Sequence, residues 1–248
     1  MSNFDPELSL WLLMLIGVAA LLYSSVGHGG ASGYLAAMAL FGLEPALMKP
    51  AALTMNIFVT MLVLARLAPR GHFNWRLFLP FVLASCPMAF VGGALPIHGA
   101  LYRYLLGLAL ILAFLRLLWQ QHDHEPVETP KPWITAPIGA VLGLFAGMTG
   151  VGGGIFLSPL LLAFRWTNMR GSAAIAAAFI LLNSIAGLLG HATVAKSWPT
   201  GIPLLVGVAF LGALLGSELG ARRVAPVQLR KVLGIVLAIA GAKMIVTA

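Results

Sequence analysis

Two glycine clusters interrupt long apolar stretches: Gly27, His28, Gly29 and Gly30, and, 125 positions after Gly27, Gly152, Gly153 and Gly154. A helix broken by glycine inside a membrane leaves the first N–H groups of its second piece without partners. Those groups sit at the positive end of the helix dipole, and glycine lets an anion approach them closely. The expected donors are Gly29, Gly30, Ala31 and Ser32 at one break and Gly153, Gly154, Ile155 and Phe156 at the other. Hydroxyls of Ser24, Ser25, Ser32 and Thr149 are placed to add to them. Neither break contains Lys or Arg. Dipoles without fixed cations hold an anion loosely enough to release it. Close helix packing is the competing use of such glycines. Asn56 and Asn183 are the deepest amides and stand at matching places in the two halves; each can donate to an anion or bridge helices. His28 is the one ionisable side chain in its stretch. It can carry a coupling proton, donate to an oxyanion, or stay neutral on a backbone carbonyl freed by the break.

The elements that position these residues follow from the distribution of charge. Of 248 residues, 60% are apolar and 9% charged, against about 25% charged in soluble domains. That excludes an ordinary soluble domain and a disordered chain and leaves an all-α polytopic membrane protein. The net charge of +8 is then a signal of topology before it is one of nucleic-acid binding. Lone Cys86 says nothing about redox compartment. No charge occurs over residues 8–43 or 132–164. Each run is too long for one span of about 20 residues. After the breaks, 31–43 and 155–164 are half-spans, the arrangement with which transporters build a midplane site. The acidic flank of Asp5 and Glu7 argues against a signal peptide.

The chain reads as an internal repeat. Asn56 matches Asn183, Pro80 matches Pro203, Gly92 matches Gly216, and Arg103, Gly107 and Arg116 match Arg230, Gly234 and Lys243. Residues 1–119 form the first transmembrane repeat, 120–132 a polar, proline-bearing linker, and 133–248 the second repeat. Each half is a glycine-broken helix hairpin followed by three transmembrane helices. With the N-terminus outside, 11 basic residues (Arg66, Arg70, Arg76, Arg116, Lys131, Arg165, Arg170, Arg222, Arg223, Arg230, Lys231) are cytoplasmic and 4 (Lys49, Arg103, Lys196, Lys243) external. The positive-inside rule selects this orientation. Both termini are then external, the linker is cytoplasmic, and the odd number of crossings makes the repeats inverted.

Other residues have plainer expectations. The ladders Gly139, Gly143, Gly147 and Gly212, Gly216, Gly220 serve helix packing. Glu218 stands four residues before Arg222, as an i,i+4 pair. The six tryptophans fall near span ends, as an aromatic belt, and Pro87 after Cys86 marks a kink. His122, Asp123, His124 and Glu125 form a solvated loop rather than a metal site.

The glycine-rich break with its following helix in both halves, with the ladder Gly212, Gly216, Gly220, resembles the TauE/SafE sulfite exporter family of membrane transporters. The resemblance covers nearly the whole chain. It implies an integral cell-membrane transporter, not an enzyme and without cofactor, that moves sulfite, organosulfonates or related small sulfur anions. His28 departs from the plainer glycine pattern of the second break. The expected substrate contacts are Ser25, Gly27, His28, Gly29, Gly30, Ser32, Asn56, Thr149, Gly152, Gly153, Gly154 and Asn183. The expected partners are a small anion and the lipid bilayer, without nucleic acid; a homodimer stays open. Three alternatives stand beside this reading. One is a transition-metal permease using His28, His191 and the methionines. Another is an anion channel. The last is an intramembrane serine protease with Ser32 as nucleophile and His191 as base.

Overall fold

A computed structural model describes residues 6–67, 73–97, 99–118, 130–195, 200–222 and 227–248, with side chains except at 6–9, 117 and 220–233. Among the described residues the chain is helical throughout, without strands. The order is α1 (Pro6–Ser25), α2 (Ala31–Leu40), α3 (Pro45–Leu67), α4 (Trp75–Ala94), α5 (Gly99–Leu118), α6 (Pro132–Thr149), α7 (Gly154–Ala163), α8 (Met169–Ala192), α9 (Ile202–Arg222) and α10 (Val227–Val246). Helices α3, α4, α5, α6, α8 and α9 are each long and apolar enough to cross a bilayer.

Local chemistry sets the helix boundaries. Asn74 caps α4 by accepting the Leu77 N–H at 3.2 Å, and Asn168 caps α8 by accepting from Gly171 at 2.8 Å. Pro132 opens α6, where its missing N–H costs nothing. Gly150, at φ 86°, closes α6 in the left-handed conformation that glycine adopts without penalty. Helices α2 and α7 have 10 residues each. At 1.5 Å per residue each is about 15 Å long, half the thickness of the hydrocarbon core. Every residue of α2 from Ala31 to Ala39 is buried, so this half-helix is sheathed by protein, as irregular backbone at membrane depth must be.

The glycine ladders set how closely the long helices approach. Helix α6 lies along α4 and α9 along α1; α3 crosses α8, and α5 pairs with α10. Cβ atoms at Gly139, Gly143 and Gly147 would collide with the backbone carbonyls of Phe81, Ser85 and Ala89. Gly212 and Gly216 face the carbonyls of Gly17 and Leu21 in the same way. Without a hydrophobic force between helices in lipid, this close contact carries the association. Gly220 falls among the residues whose side-chain surroundings are not described. Leu83, Val141, Leu211 and Leu215 point outward, as a lipid-facing surface does. Trp11, Trp75 and Trp133 are also exposed.

Several charged residues sit where the sequence alone does not place them. Glu218 pairs with Arg66 of α3 at 3.2 Å, a contact between the two halves; the Arg222 side chain expected to meet it lies outside the described residues. Lys49 is buried at 6% exposure and donates to the carbonyls of Gly92 and Gly93 at 3.2 and 2.8 Å, near the C-terminal end of α4. Lys243 does the same for Ala39 and Leu40 at the end of α2. Each cation meets the negative end of a helix dipole. Arg70, Trp119, Lys196, Trp198, Arg223 and linker residues 120–129, with the His122, Asp123, His124, Glu125 group, lie outside the described residues.

Candidate anion site between two broken helices

The first break begins where α1 ends. The Gly27 N–H donates to Ser24 O at 3.1 Å and the His28 N–H to Tyr23 O at 2.8 Å, with Gly27 at φ 84°. Gly30, at φ 97°, turns the chain into α2. No acceptor among the described residues meets the N–H groups of Gly29, Gly30, Ala31 or Ser32; the first bond of the new helix is Tyr34 N–H to Gly30 O. At the second break Gly150, Gly152 and Gly153 all have positive φ. The N–H groups of Gly152, Gly153, Gly154 and Ile155 are likewise unpaired. Phe156, expected to be a free donor, instead bonds Gly153 O at 3.1 Å. Two sets of unpaired donors thus stand at the positive ends of two half-helices.

Both breaks close on one amide. A Cβ at Gly29 would lie 2.6 Å from Asn56 Oδ1, 2.9 Å from Thr60 Cγ2 and 3.1 Å from Ile180 Cγ2. A Cβ at Gly152 would lie 2.7 Å from Asn56 Nδ2, 2.9 Å from Ile180 Cγ2 and 3.3 Å from Ser184 Oγ. The Asn56 head therefore occupies the space between the two glycine turns, with Ile180 beside it. Asn56 and Asn183 are both 0% exposed. Asn56 Nδ2 donates to Ser184 Oγ at 3.3 Å and Asn183 Nδ2 to Phe179 O at 2.8 Å, while neither Oδ1 has a partner among the described residues.

His28 joins the two broken elements. Its Nδ1 lies 3.2 Å from Val26 O and its Nε2 2.9 Å from Ser158 Oγ on α7. A carbonyl only accepts, so Nδ1 carries a proton; in the neutral ring Nε2 accepts from Ser158.

The hydroxyls are largely committed elsewhere. Ser25 donates to Leu22 O at 2.7 Å, Ser24 to Leu21 O and Ala213 O, and Thr149 to Phe145 O at 2.7 Å. Ser32 shares a 2.5 Å bond with the Tyr23 hydroxyl, so its described partner is a phenol and not a histidine. Tyr34 donates to Gly29 O at 2.5 Å and Tyr102 to Thr149 O at 3.2 Å. These tyrosines fix the carbonyls on either side of the donors. Gly27 approaches Ala173 and Gly154 approaches Ile180, which seats both breaks against α8.

Sequence reasoning missed Ile180, Ser184, Ser158, Tyr23 and Tyr34. Tyrosine is rare here, 4 in the chain, and a tyrosine placed four residues from a glycine break is a signal for a buried hydroxyl with a carbonyl to bind.

The sequence profile of the family described as "Sulfite exporter TauE/SafE" matches residues 12–244. A protein of Sinorhizobium fredii described as a "Probable membrane transporter protein" is 32% identical over 246 residues, 97% of this chain and 99% of that protein. A second, from Methanocaldococcus jannaschii and described in the same words, is 25% identical over 269 residues, 98% of each chain. No solved structure matches. A multi-pass helical protein, with two half-helices buried at its centre and matched by that profile from α1 to α10, belongs to the TauE/SafE sulfite exporter family of membrane transporters.

Proposed function

We propose that the chain is a secondary transporter of the cell membrane that exports small sulfur oxyanions, sulfite or organosulfonates, bound between the two broken helices. One observation carries this reading. Two breaks whose N–H groups lack partners among the described residues both approach the buried Asn56 amide, one through Gly29 and the other through Gly152, and such donors suit an anion. Gly27, Gly29, Gly30, Ser32, Gly152, Gly153 and Gly154 shape the site, with Asn56, Asn183 and His28 as its side-chain contacts. Ser25 and Thr149 support the turns through their carbonyl bonds. Export suits an anion, which a negative cell interior drives outward at about 2.3 kcal/mol per charge per 100 mV.

The halves act as inverted repeats, 1–119 and 133–248, joined by a cytoplasmic linker over 120–132, with both termini external. Exchanging each helix of one half for its counterpart in the other turns the α1–α9 pair into α6–α4 and leaves α3–α8 and α5–α10 unchanged. This supports a two-fold relation. Sidedness is supported by three basic residues assigned to the outside. Lys243 binds the end of α2, Lys49 follows at the start of α3, and Arg103 reaches Thr247 O after α10.

The test is a flux screen of sulfite, sulfate, thiosulfate and small sulfonates with purified protein in liposomes. Saturable flux of a sulfur anion is expected. Flux of none of them, or single-channel currents in place of saturable flux, would overturn the reading.

A further inference from the structure

Helices α2 and α7 end in the same way, and one residue of the second ending is out of place. Each half-helix closes on a phenylalanine, Phe41 or Phe164, followed by a residue of positive φ, Gly42 at 70° or Arg165 at 54°. The bonds also match. The Gly42 N–H donates to Ala39 O and the Leu43 N–H to Met38 O, at 3.1 and 3.0 Å; the Arg165 N–H donates to Leu162 O and the Trp166 N–H to Leu161 O, at 3.1 and 2.8 Å. This is the Schellman ending, whose left-handed position glycine fills without penalty. A Cβ there crowds the following carbonyl oxygen, and Arg165 is the only non-glycine residue with positive φ among the described residues. Strain kept where the other half of the same chain uses glycine points to a task for the side chain. We infer that Arg165, with Arg170 and Arg76, holds the phosphate of an anionic phospholipid against the ends of α7, α8 and α4.

The three arginines come to one end of the molecule. Leu77 and Phe78 in the first turn of α4 share a buried cluster with Leu161 of α7, and Trp166 packs against it, 6.2 Å from Phe81. Helix α8 starts three residues after Trp166. Both α4 and α8 are long enough to cross the bilayer, so their first turns stand at headgroup depth. Arg76, Arg165 and Arg170 are exposed there, and none has a side-chain hydrogen bond or ion pair among the described residues. The Arg165 guanidinium therefore does not serve the carbonyls of α7 as Lys243 serves those of α2. Helices α4, α7 and α8 contain no Asp or Glu to neutralise the charge. Exposed Trp75, Phe164 and Met169 each adjoin one of the arginines in the chain. Guanidinium forks match phosphate oxygens bidentately, and the apolar side chains beside them suit acyl chains at the interface. A free anion would use the arginines alone; a lipid uses both. Lipid binding here is independent of which ion is transported.

The test is thermal unfolding of the purified full-length protein in detergent, with phosphatidylglycerol or phosphatidylcholine of the same acyl chains added. Phosphatidylglycerol is expected to raise the wild-type midpoint by about 5 °C more than phosphatidylcholine does, in a saturable way. Arg165→Gly is expected to melt about 1–4 °C above the wild type without lipid, since released strain exceeds the added freedom of the unfolded chain. It should lose most of the lipid-specific rise. Arg170→Gln should lose part of that rise, and Arg103→Gln, which removes a charge elsewhere, should keep it. A cooperative transition without lipid shows that each variant is folded. Equal rises with the two lipids, a rise undiminished in both Arg165→Gly and Arg170→Gln, an equal loss in Arg103→Gln, or the same rise from inorganic phosphate alone would overturn the inference. An Arg165→Gly protein no more stable than the wild type would do so too, by removing the strain on which it rests.

Discussion

Gly29→Ala isolates the contact between the first break and the Asn56 amide. Gly29 does not have a positive φ, so alanine brings no left-handed strain and the effect is steric. The new methyl would lie 2.6 Å from Asn56 Oδ1, about 0.8 Å inside the 3.4 Å limit of ordinary contact, and 2.9 Å from Thr60 Cγ2. The interior has no room to yield, because Asn56 and Thr60 are both 0% exposed. Overpacking of this kind costs about 1–3 kcal/mol. The amide must swing away, so substrate affinity and stability fall together. Gly42→Ala is the control. It has φ 70° and nothing within 4 Å, so it registers backbone strain alone, about 1–2 kcal/mol, and leaves binding intact. Adding Asn56→Ala to Gly29→Ala removes the colliding oxygen. Unfolding in detergent should then show a coupling of about 0.5–3 kcal/mol between the two substitutions. A Gly29→Ala protein with wild-type binding and stability, or strict additivity in the double variant, would refute the convergence of the breaks on Asn56.

Gly143→Leu should lower yield and thermal stability, because its side chain meets the α4 backbone at Ser85; Gly153→Leu should abolish flux in protein that still inserts. His28→Gln should keep part of the flux and His28→Leu should keep less, since only the amide can still bridge toward Val26 O or Ser158 Oγ; equal flux in the two would remove His28 from the site. Cysteines placed at Ser2 and Gln121 should react with an impermeant reagent from opposite sides of the membrane; labelling from one side would sink the inverted topology. Glu218→Gln should change stability by about 0–1 kcal/mol in detergent, because the pair with Arg66 is 31% and 53% exposed.

The helical breaks were legible because their cause is local. Glycine and the charge-free lengths on either side of it mark Gly27 to Gly30 and Gly150 to Gly154 without reference to any other element. Which helix faces which was not legible. A soluble helix advertises its buried face by amphipathic spacing, but in lipid both faces are apolar and that signal is lost. Nothing near Glu218 therefore points to Arg66, 152 positions away, while Arg222 stands at the tempting i,i+4 distance. The Asn183 repeat position was visible, yet its neighbour Ser184 was not, because its role depends on Asn56 crossing from α3. Lys49 was expected only as one of the four external basic residues. Only the fold reveals that it reaches the exposed carbonyls of α4.

The way α2 is enclosed bears on how the polypeptide is made. Ten residues are too few to be accepted by the insertion machinery as a span, and the walls around α2 come from both ends of the chain. Its carbonyls at Ala39 and Leu40 are capped by Lys243, synthesised about two hundred residues later. Its predecessor α1 packs along α9, and α2 itself packs along α10. Until translation is nearly over, the nascent protein holds a short helix with bare carbonyls and an unfinished flank in or at the bilayer. A chain shortened within α10 should thus be recognised by membrane quality control as incomplete, even though every earlier helix is present. The order of synthesis and the order of closure run opposite to each other, and the final helix serves as the latch of the first hairpin.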